Sequence, residues 1–136
     1  MFMTKRRIRF GDCDPGGVIY APRLGYFVVE AVLDFLSDRL GGPAEREIMK
    51  MGVLPPARAL SIEFLSPLEW DADVEIRVSV RELRTHAIAY AVVGKLASGE
   101  TAFLAELTQV CVSPETRRPV AVPEALRRAL GGSVDA

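Results

Sequence analysis

Two aspartates, Asp12 and Asp14, stand two residues apart in the run Phe10-Gly11-Asp12-Cys13-Asp14-Pro15-Gly16-Gly17-Val18-Ile19-Tyr20. The run joins a strand-like N-terminal segment to a long apolar segment of helical periodicity. A carboxylate there sits at the positive end of a helix, beside backbone amides able to bind an anion. Gly16 and Gly17 let the main chain approach a ligand closely. The unpaired N–H groups of a helix start can hold an oxyanion. The same residues are also good turn chemistry, and an Asp near a helix start is stabilised by about 0.3–1 kcal/mol. On residue types alone, both readings stand.

The elements that must position this loop follow from periodicity. Residues 5–11 alternate weakly and predict a first strand with Ile8 and Phe10 on one face. Pro22 suits the opening of a helix, where its missing N–H costs nothing. From Leu24 to Leu40 most positions are apolar, while Arg23, Glu30, Asp34 and Ser37/Asp38 form one narrow polar stripe. So wide an apolar surface must be wrapped, and an antiparallel sheet curled around it would suffice. Gly41-Gly42-Pro43 stops this helix, and residues 44–51 predict a short second one.

The rest reads as strands: 58–64, 73–80, 86–97 and 101–113, with a hairpin turn at Ser98-Gly99-Glu100. In the second of these, Val74, Ile76, Val78 and Val80 share one face. The last is apolar on both faces, which predicts a central strand. Residues 123–130 close the chain as a short helix. The order of strand, long helix and then a run of strands is α+β rather than a doubly wound sheet.

Composition sets the outer limits. A chain of 136 residues suits one domain, 1–136, with a real core, and no repeat, linker or low-complexity tract divides it. A net charge of −1 argues against a general nucleic-acid surface. No apolar run reaches the roughly 18 residues of a membrane span, and the charged start lacks a signal peptide's apolar region. Two cysteines, Cys13 and Cys111, make no disulfide framework, so the expected setting is a reducing cytoplasm.

The remaining candidates are weaker. His86 is the only histidine and has no Cys or Asp at ligand spacing, so no metal site is expected. Cys13 lies between two aspartates, whose charge disfavours a thiolate. Glu30 reads as a solvated or paired member of the polar stripe. Gly-x-Ser-x-Gly, Gly-x-Gly-x-x-Gly and Walker patterns are absent.

Residues 11–17 resemble the Gly-Asp-Cys-Asp-Pro-x-Gly signature of the 4-hydroxybenzoyl-CoA thioesterase family, and the resemblance extends over nearly the whole chain. It implies a hotdog fold, an antiparallel sheet wrapped around a long central helix. It implies hydrolysis of an acyl-CoA thioester, with Asp14 as catalytic carboxylate and Asp12 structural. A thioester carbonyl is a good electrophile with a good leaving group, so a carboxylate either attacks it or deprotonates water. The backbone N–H of Ala21, beside Tyr20, matches the region that polarises the carbonyl. Arg84 and the pair Arg117-Arg118 match basic turns that contact the coenzyme A phosphates, for which Arg is well shaped.

No cofactor is implied, because coenzyme A belongs to the substrate. Subunits of this family form homodimers or homotetramers with sites at the subunit interface. The apolar helix and the two-sided last strand point the same way, as more apolar surface than one small sheet covers. Pro22-Arg23-Leu24-Gly25 departs from the family's Pro-x-Tyr-aromatic, which implies a changed, roomier acyl pocket. Glu63 sits mid-strand and aligns with no catalytic Glu of other hotdog branches. Two rival readings keep the fold: a thioesterase for acyl carrier protein, and a catalytically silent acyl-CoA-binding module.

Overall fold

The computed structural model describes residues 1–131, so the last five residues of the expected domain 1–136 lie outside the described part. Within it run β1 (Phe2–Arg7), α1 (Ala21–Leu40), α2 (Ala44–Lys50), β2 (Ala57–Phe64), β3 (Asp73–Leu83), β4 (Ala87–Leu96), β5 (Thr101–Val110) and α3 (Glu124–Gly131). The strands pair antiparallel throughout, in the order β1-β3-β4-β5-β2. One face of the sheet closes on α1, which gives the α+β architecture of a hotdog.

The packing follows from two periodicities. In β3, Val74, Ile76, Val78 and Val80 are buried, while Glu75, Arg77 and Ser79 point to the outer face. In α1, Leu24, Phe27, Val28, Ala31, Val32, Phe35 and Leu36 recur at helical spacing and are buried against the sheet. The Phe35 ring meets Phe2 and Tyr90 edge-on, at 5.7 and 6.2 Å between centroids. Gly41 ends α1 in the left-handed region (φ 75°), its N–H bonded to the Ser37 carbonyl at 3.0 Å.

Several boundaries differ from the sequence reading: β1 starts at Phe2 and β3 runs on to Leu83, and three further differences bear on the site and the sheet. The first strand ends at Arg7, not at residue 11. Ile8 keeps main-chain bonds to residues 71 and 72 and is buried, but the chain then coils into a 3-10 turn at Phe10–Asp12. Phe10 therefore does not share a face with Ile8. Helix α1 begins at Ala21, before the apolar pattern starts, because Pro22 fits the first turn. Strand β5 stops at Val110, where the Cys111 N–H turns to the His86 carbonyl. As expected, β5 is an interior strand, between β4 and β2.

Strand β2 is an edge and is exposed along most of its length. Its register with β5 sets Leu60, Ile62 and Phe64 on the α1 side. Leu60 and Phe64 nevertheless remain 44% and 50% exposed, with Leu60 against Gly25 of α1. An apolar, unpaired edge is a surface that proteins usually cover.

Gly94 in β4 lets the buried Phe103 ring lie across its Cα. An added Cβ would stand inside that ring's contact distance. Gly94→Ala is expected to cost about 1–3 kcal/mol of stability through overpacking. A urea midpoint equal to that of the wild type would contradict this.

Candidate active site

The aspartate loop is a small hairpin. The Tyr20 N–H bonds the Asp12 carbonyl at 2.9 Å, the Asp14 N–H bonds the Val18 carbonyl at 3.0 Å, and Cys13 bridges Ile19. A third segment joins it from the far side, with Ile19 N–H to Leu68 and Trp70 N–H to Gly17 at 2.8 and 2.9 Å. The turn needs its glycines: Gly17 has φ 81°, and a Cβ on Gly16 would press on the Asp14 carboxylate at 3.1 Å.

At the tip, Asp14 is half-buried and its Oδ1 accepts the Gly16 N–H at 2.8 Å. Its other oxygen has no protein partner among the described residues. At the base, Tyr20 caps α1 without a side-chain hydrogen bond. The next N–H, that of Ala21, has no carbonyl within the helix to bond, and Pro22 has no N–H at all. Ala21 therefore presents a single open amide at the positive helix end.

Asp12 plays a different part. It is 5% exposed, and its two oxygens accept the Arg9 N–H at 2.9 Å and the Arg23 Nε–H at 2.8 Å. Burial pushes its carboxyl up. The Arg9 N–H, the Arg23 guanidinium and the Arg6 charge outweigh that and hold it below the usual carboxylate range. Arg23 would repel the helix N-terminus by its charge, and Asp12 offsets this. The pair ties the base of the hairpin to the first turn of α1. Cys13 donates to the Arg9 carbonyl at 3.4 Å, and its thiol is pushed up by burial first and by both aspartates after it. It is no thiolate nucleophile.

Beside Asp14 opens a cavity of about 430 Å³ lined by Phe10, Cys13, Asp14, Pro15, Gly17 and Trp70. A second, apolar cavity of about 360 Å³ lies between Val18-Ile19 and the segment 64–68. A hydrolytic site can be built here: a held carboxylate, an open helix-end amide and apolar walls.

Residues 8–130 match the Thioesterase-like superfamily. The chain belongs to this family. The acyl-CoA thioester hydrolase YbgC of Escherichia coli is 25% identical over 128 residues, covering 93% of this chain and 92% of its own length. The 1,4-dihydroxy-2-naphthoyl-CoA hydrolase of Thermosynechococcus vestitus is 25% identical over 122 residues, covering 90% and 83%. A thioesterase superfamily crystal structure from Jannaschia sp. CCS1 superposes with a TM-score of 0.89 at 26% identity, covering 99% of this chain and 94% of that one. The family, fold and thioester hydrolase class read from the aspartate loop agree with these likenesses.

This thioesterase-like chain keeps its basic turns far from the loop. Arg7 pairs with Asp73 at the end of the sheet nearest Asp14, whereas Arg84 follows the opposite end of β3. The eleven residues of β3 separate the two ends by roughly 30 Å at about 3.3 Å per residue. Thr85 bonds Val122, and Ser113 bonds Arg118, so the Arg84 and Arg117-Arg118 turns share that distant end. Thus one hairpin carries Asp14 at its tip and Tyr20 and Ala21 at its base, while the three arginines lie at the other end of the sheet.

Arg84 is already paired with Glu82 at 2.7 Å. Arg117 and Arg118 are exposed, with no ion pair among the described residues. His86 is exposed in its turn, and no metal-ligating cluster occurs among the described residues. Glu30 pairs with Arg6 at 2.7 Å. Leu24 is fully buried and Gly25 faces Leu60, so neither lines the cavity beside Asp14. The sequence reading missed Arg23 as the partner of Asp12, and Phe10 and Trp70 as cavity walls. A lone tryptophan in the acidic loop Glu69-Trp70-Asp71 was the available signal for one of them.

Proposed function

We infer that the chain is an acyl-CoA thioesterase in which Asp14 is the catalytic carboxylate. One observation carries this reading: Asp14 has one oxygen fixed by Gly16 and the other free, within the hairpin whose far end opens the Ala21 amide. The named activities of the two curated relatives, both on CoA thioesters, support coenzyme A as the carrier.

In this reading the thioester carbonyl oxygen takes the Ala21 N–H, which meets the charge that develops there. The free Asp14 oxygen then either attacks the carbonyl carbon or removes a proton from an attacking water. Attack forms a mixed anhydride and breaks the C–S bond, so coenzyme A leaves as a thiolate that takes up a proton. Water then cleaves the anhydride to the free acid and restores Asp14. Tyr20 borders the carbonyl site.

The reading needs a second copy of the chain. One subunit holds Asp14 and its own arginine turns at opposite ends of the sheet. Pairing two β2 edges antiparallel about a two-fold axis would cover Leu60 and Phe64. It would also turn the partner's basic end toward Asp14. Arg84, Arg117 and Arg118 of the partner subunit would then receive the nucleotide phosphates, at the interface of a homodimer or of a dimer within a tetramer.

Thiol release from a panel of aromatic, short and medium acyl-CoAs tests the activity, with matched carrier-protein thioesters alongside. No release across the panel would sink it. Faster turnover of carrier-protein thioesters would shift the substrate to that class. Arg117→Ala with Arg118→Ala is expected to raise KM about tenfold, the scale of a lost charged hydrogen bond. It should not affect a pantetheine thioester that lacks the nucleotide. Dilution should lower specific activity together with the oligomer population. A fully active monomer would refute the shared site.

A further inference from the structure

The turn Arg84-Thr85-His86 between β3 and β4 has all three carbonyls engaged, each by a donor from the segment that follows β5. The Arg127 guanidinium of α3 donates to the Arg84 carbonyl at 2.6 Å. The Val122 N–H donates to the Thr85 carbonyl and the Cys111 N–H to the His86 carbonyl, both at 2.8 Å. Arg127 is the one side chain among these donors. The N–H groups of Thr85 and His86, by contrast, have no acceptor among the described residues, and both residues are exposed. The two facts are connected, because a peptide unit is planar and its C=O and N–H point opposite ways. The Arg84 carbonyl and the Thr85 N–H share one such unit, so the Arg127 bond that turns the carbonyl inward aims the N–H outward. Val122 does the same for the His86 N–H. Two successive open amides with no free carbonyl between them suit a phosphate, which only accepts hydrogen bonds.

We propose that Arg127 is a positioning residue for coenzyme A: it holds the Arg84-Thr85-His86 turn with its amides outward and does not itself touch the nucleotide. This rests on the thioesterase reading above, in which that turn meets the phosphates, and adds the Thr85 and His86 N–H groups to the phosphate donors. Arg127 reaches the turn from within the fold. It is half-buried on α3, between Leu126 and Leu130, which are buried. The Arg84 side chain does not fix the turn in its place, since its guanidinium is directed to Glu82 at 2.7 Å. Without the Arg127 bond the peptide between residues 84 and 85 is free to rotate. Its carbonyl would then face the phosphate that its N–H should meet. Arg128, the next residue of α3, is exposed and carries the same charge, so it separates the effect of the bond from that of the charge.

Arg127→Met keeps an unbranched stem and removes the donor. It should raise KM for the best acyl-CoA of the panel about five- to tenfold, the scale of a lost charged hydrogen bond, with kcat near the wild type. Arg127→Gln, whose terminal nitrogen falls two atoms short, should do the same and serves if Arg127→Met does not fold. Arg127→Lys, which keeps a cationic donor, should recover most of the loss. Arg128→Met should change KM by less than about twofold, because an exposed charge is screened. None of these variants should alter turnover of the matched pantetheine thioester. A KM rise shared by the pantetheine thioester would make Arg127 merely structural and overturn the proposal. So would an equal rise in Arg128→Met, or no rise in Arg127→Met and Arg127→Gln. If Arg117→Ala with Arg118→Ala raises KM while the Arg127 variants do not, this inference fails and the placement of the phosphates survives. If no thioester is hydrolysed, calorimetric titration with coenzyme A decides. Binding weakened by Arg127→Met and spared by Arg128→Met would keep the positioning role and overturn the thioesterase reading. Binding equal in wild type and Arg127→Met would overturn both.

Discussion

Asp14→Asn lowers kcat by at least about 10²-fold, the scale of a lost acid–base or nucleophilic group. The amide is isosteric, and its oxygen still accepts the Gly16 N–H that Oδ1 accepts in the wild type. The hairpin bonds from Tyr20, Asp14 and Gly17 are all main-chain donors and acceptors, so the substitution leaves them intact. What disappears is the anionic oxygen that faces the cavity. The loss therefore falls on kcat, with KM and thermal stability close to the wild type. Steady-state kinetics on the best acyl-CoA of the panel, beside a melting curve, separates the two. A variant with near-normal kcat would remove Asp14 from the chemistry.

Asp12→Asn acts in the other direction, on stability. It replaces a buried carboxylate that accepts two hydrogen bonds, one from the Arg23 guanidinium. Hydrogen bonds to charged groups contribute about 1.5–3 kcal/mol each. Arg23 is 37% exposed and solvent screens part of its pairing. The expected cost is about 2–3 kcal/mol in total. The sign with pH follows from the lowered carboxyl of Asp12. A group whose pKa is depressed on folding contributes stability above its unfolded value, about pH 4. That contribution is lost as pH falls through the lower folded value. Wild type should therefore lose this share of its stability on acidification below about pH 4, and Asp12→Asn should lack it. Urea midpoints taken across acid pH measure both. Equal midpoints at neutral pH would contradict the pairing.

Much of the fold was legible because its signals are local. Alternation in residues 73–80 identified the face that meets α1, and the three-to-four spacing of Phe27, Ala31 and Phe35 identified the helix. Gly41 marked the helix end, because only a residue tolerant of the left-handed region fits there. The first strand misled because Ile8 and Phe10 alternate as a strand would, yet the bonds from residues 71 and 72 end at Ile8 and a turn follows. Those partners lie more than sixty residues away, beyond the reach of periodicity.

The candidate site divides in the same way. The resemblance named Asp14, Tyr20 and Ala21 together, and the structure places them in one hairpin and helix start, where contacts are short in sequence. The sequence by itself determined that an aspartate loop leads into a long apolar helix, and its Gly-Asp-Cys-Asp-Pro-x-Gly run carried the resemblance to the family. Only the tertiary structure decided that Arg23 holds Asp12, that Phe10 meets Trp70 sixty residues on, and that Arg84, Arg117 and Arg118 lie at the far end of the sheet from Asp14. Strand order and register set those relations, and a pattern of alternating residues reveals which face a side chain takes without revealing which strand lies beside it.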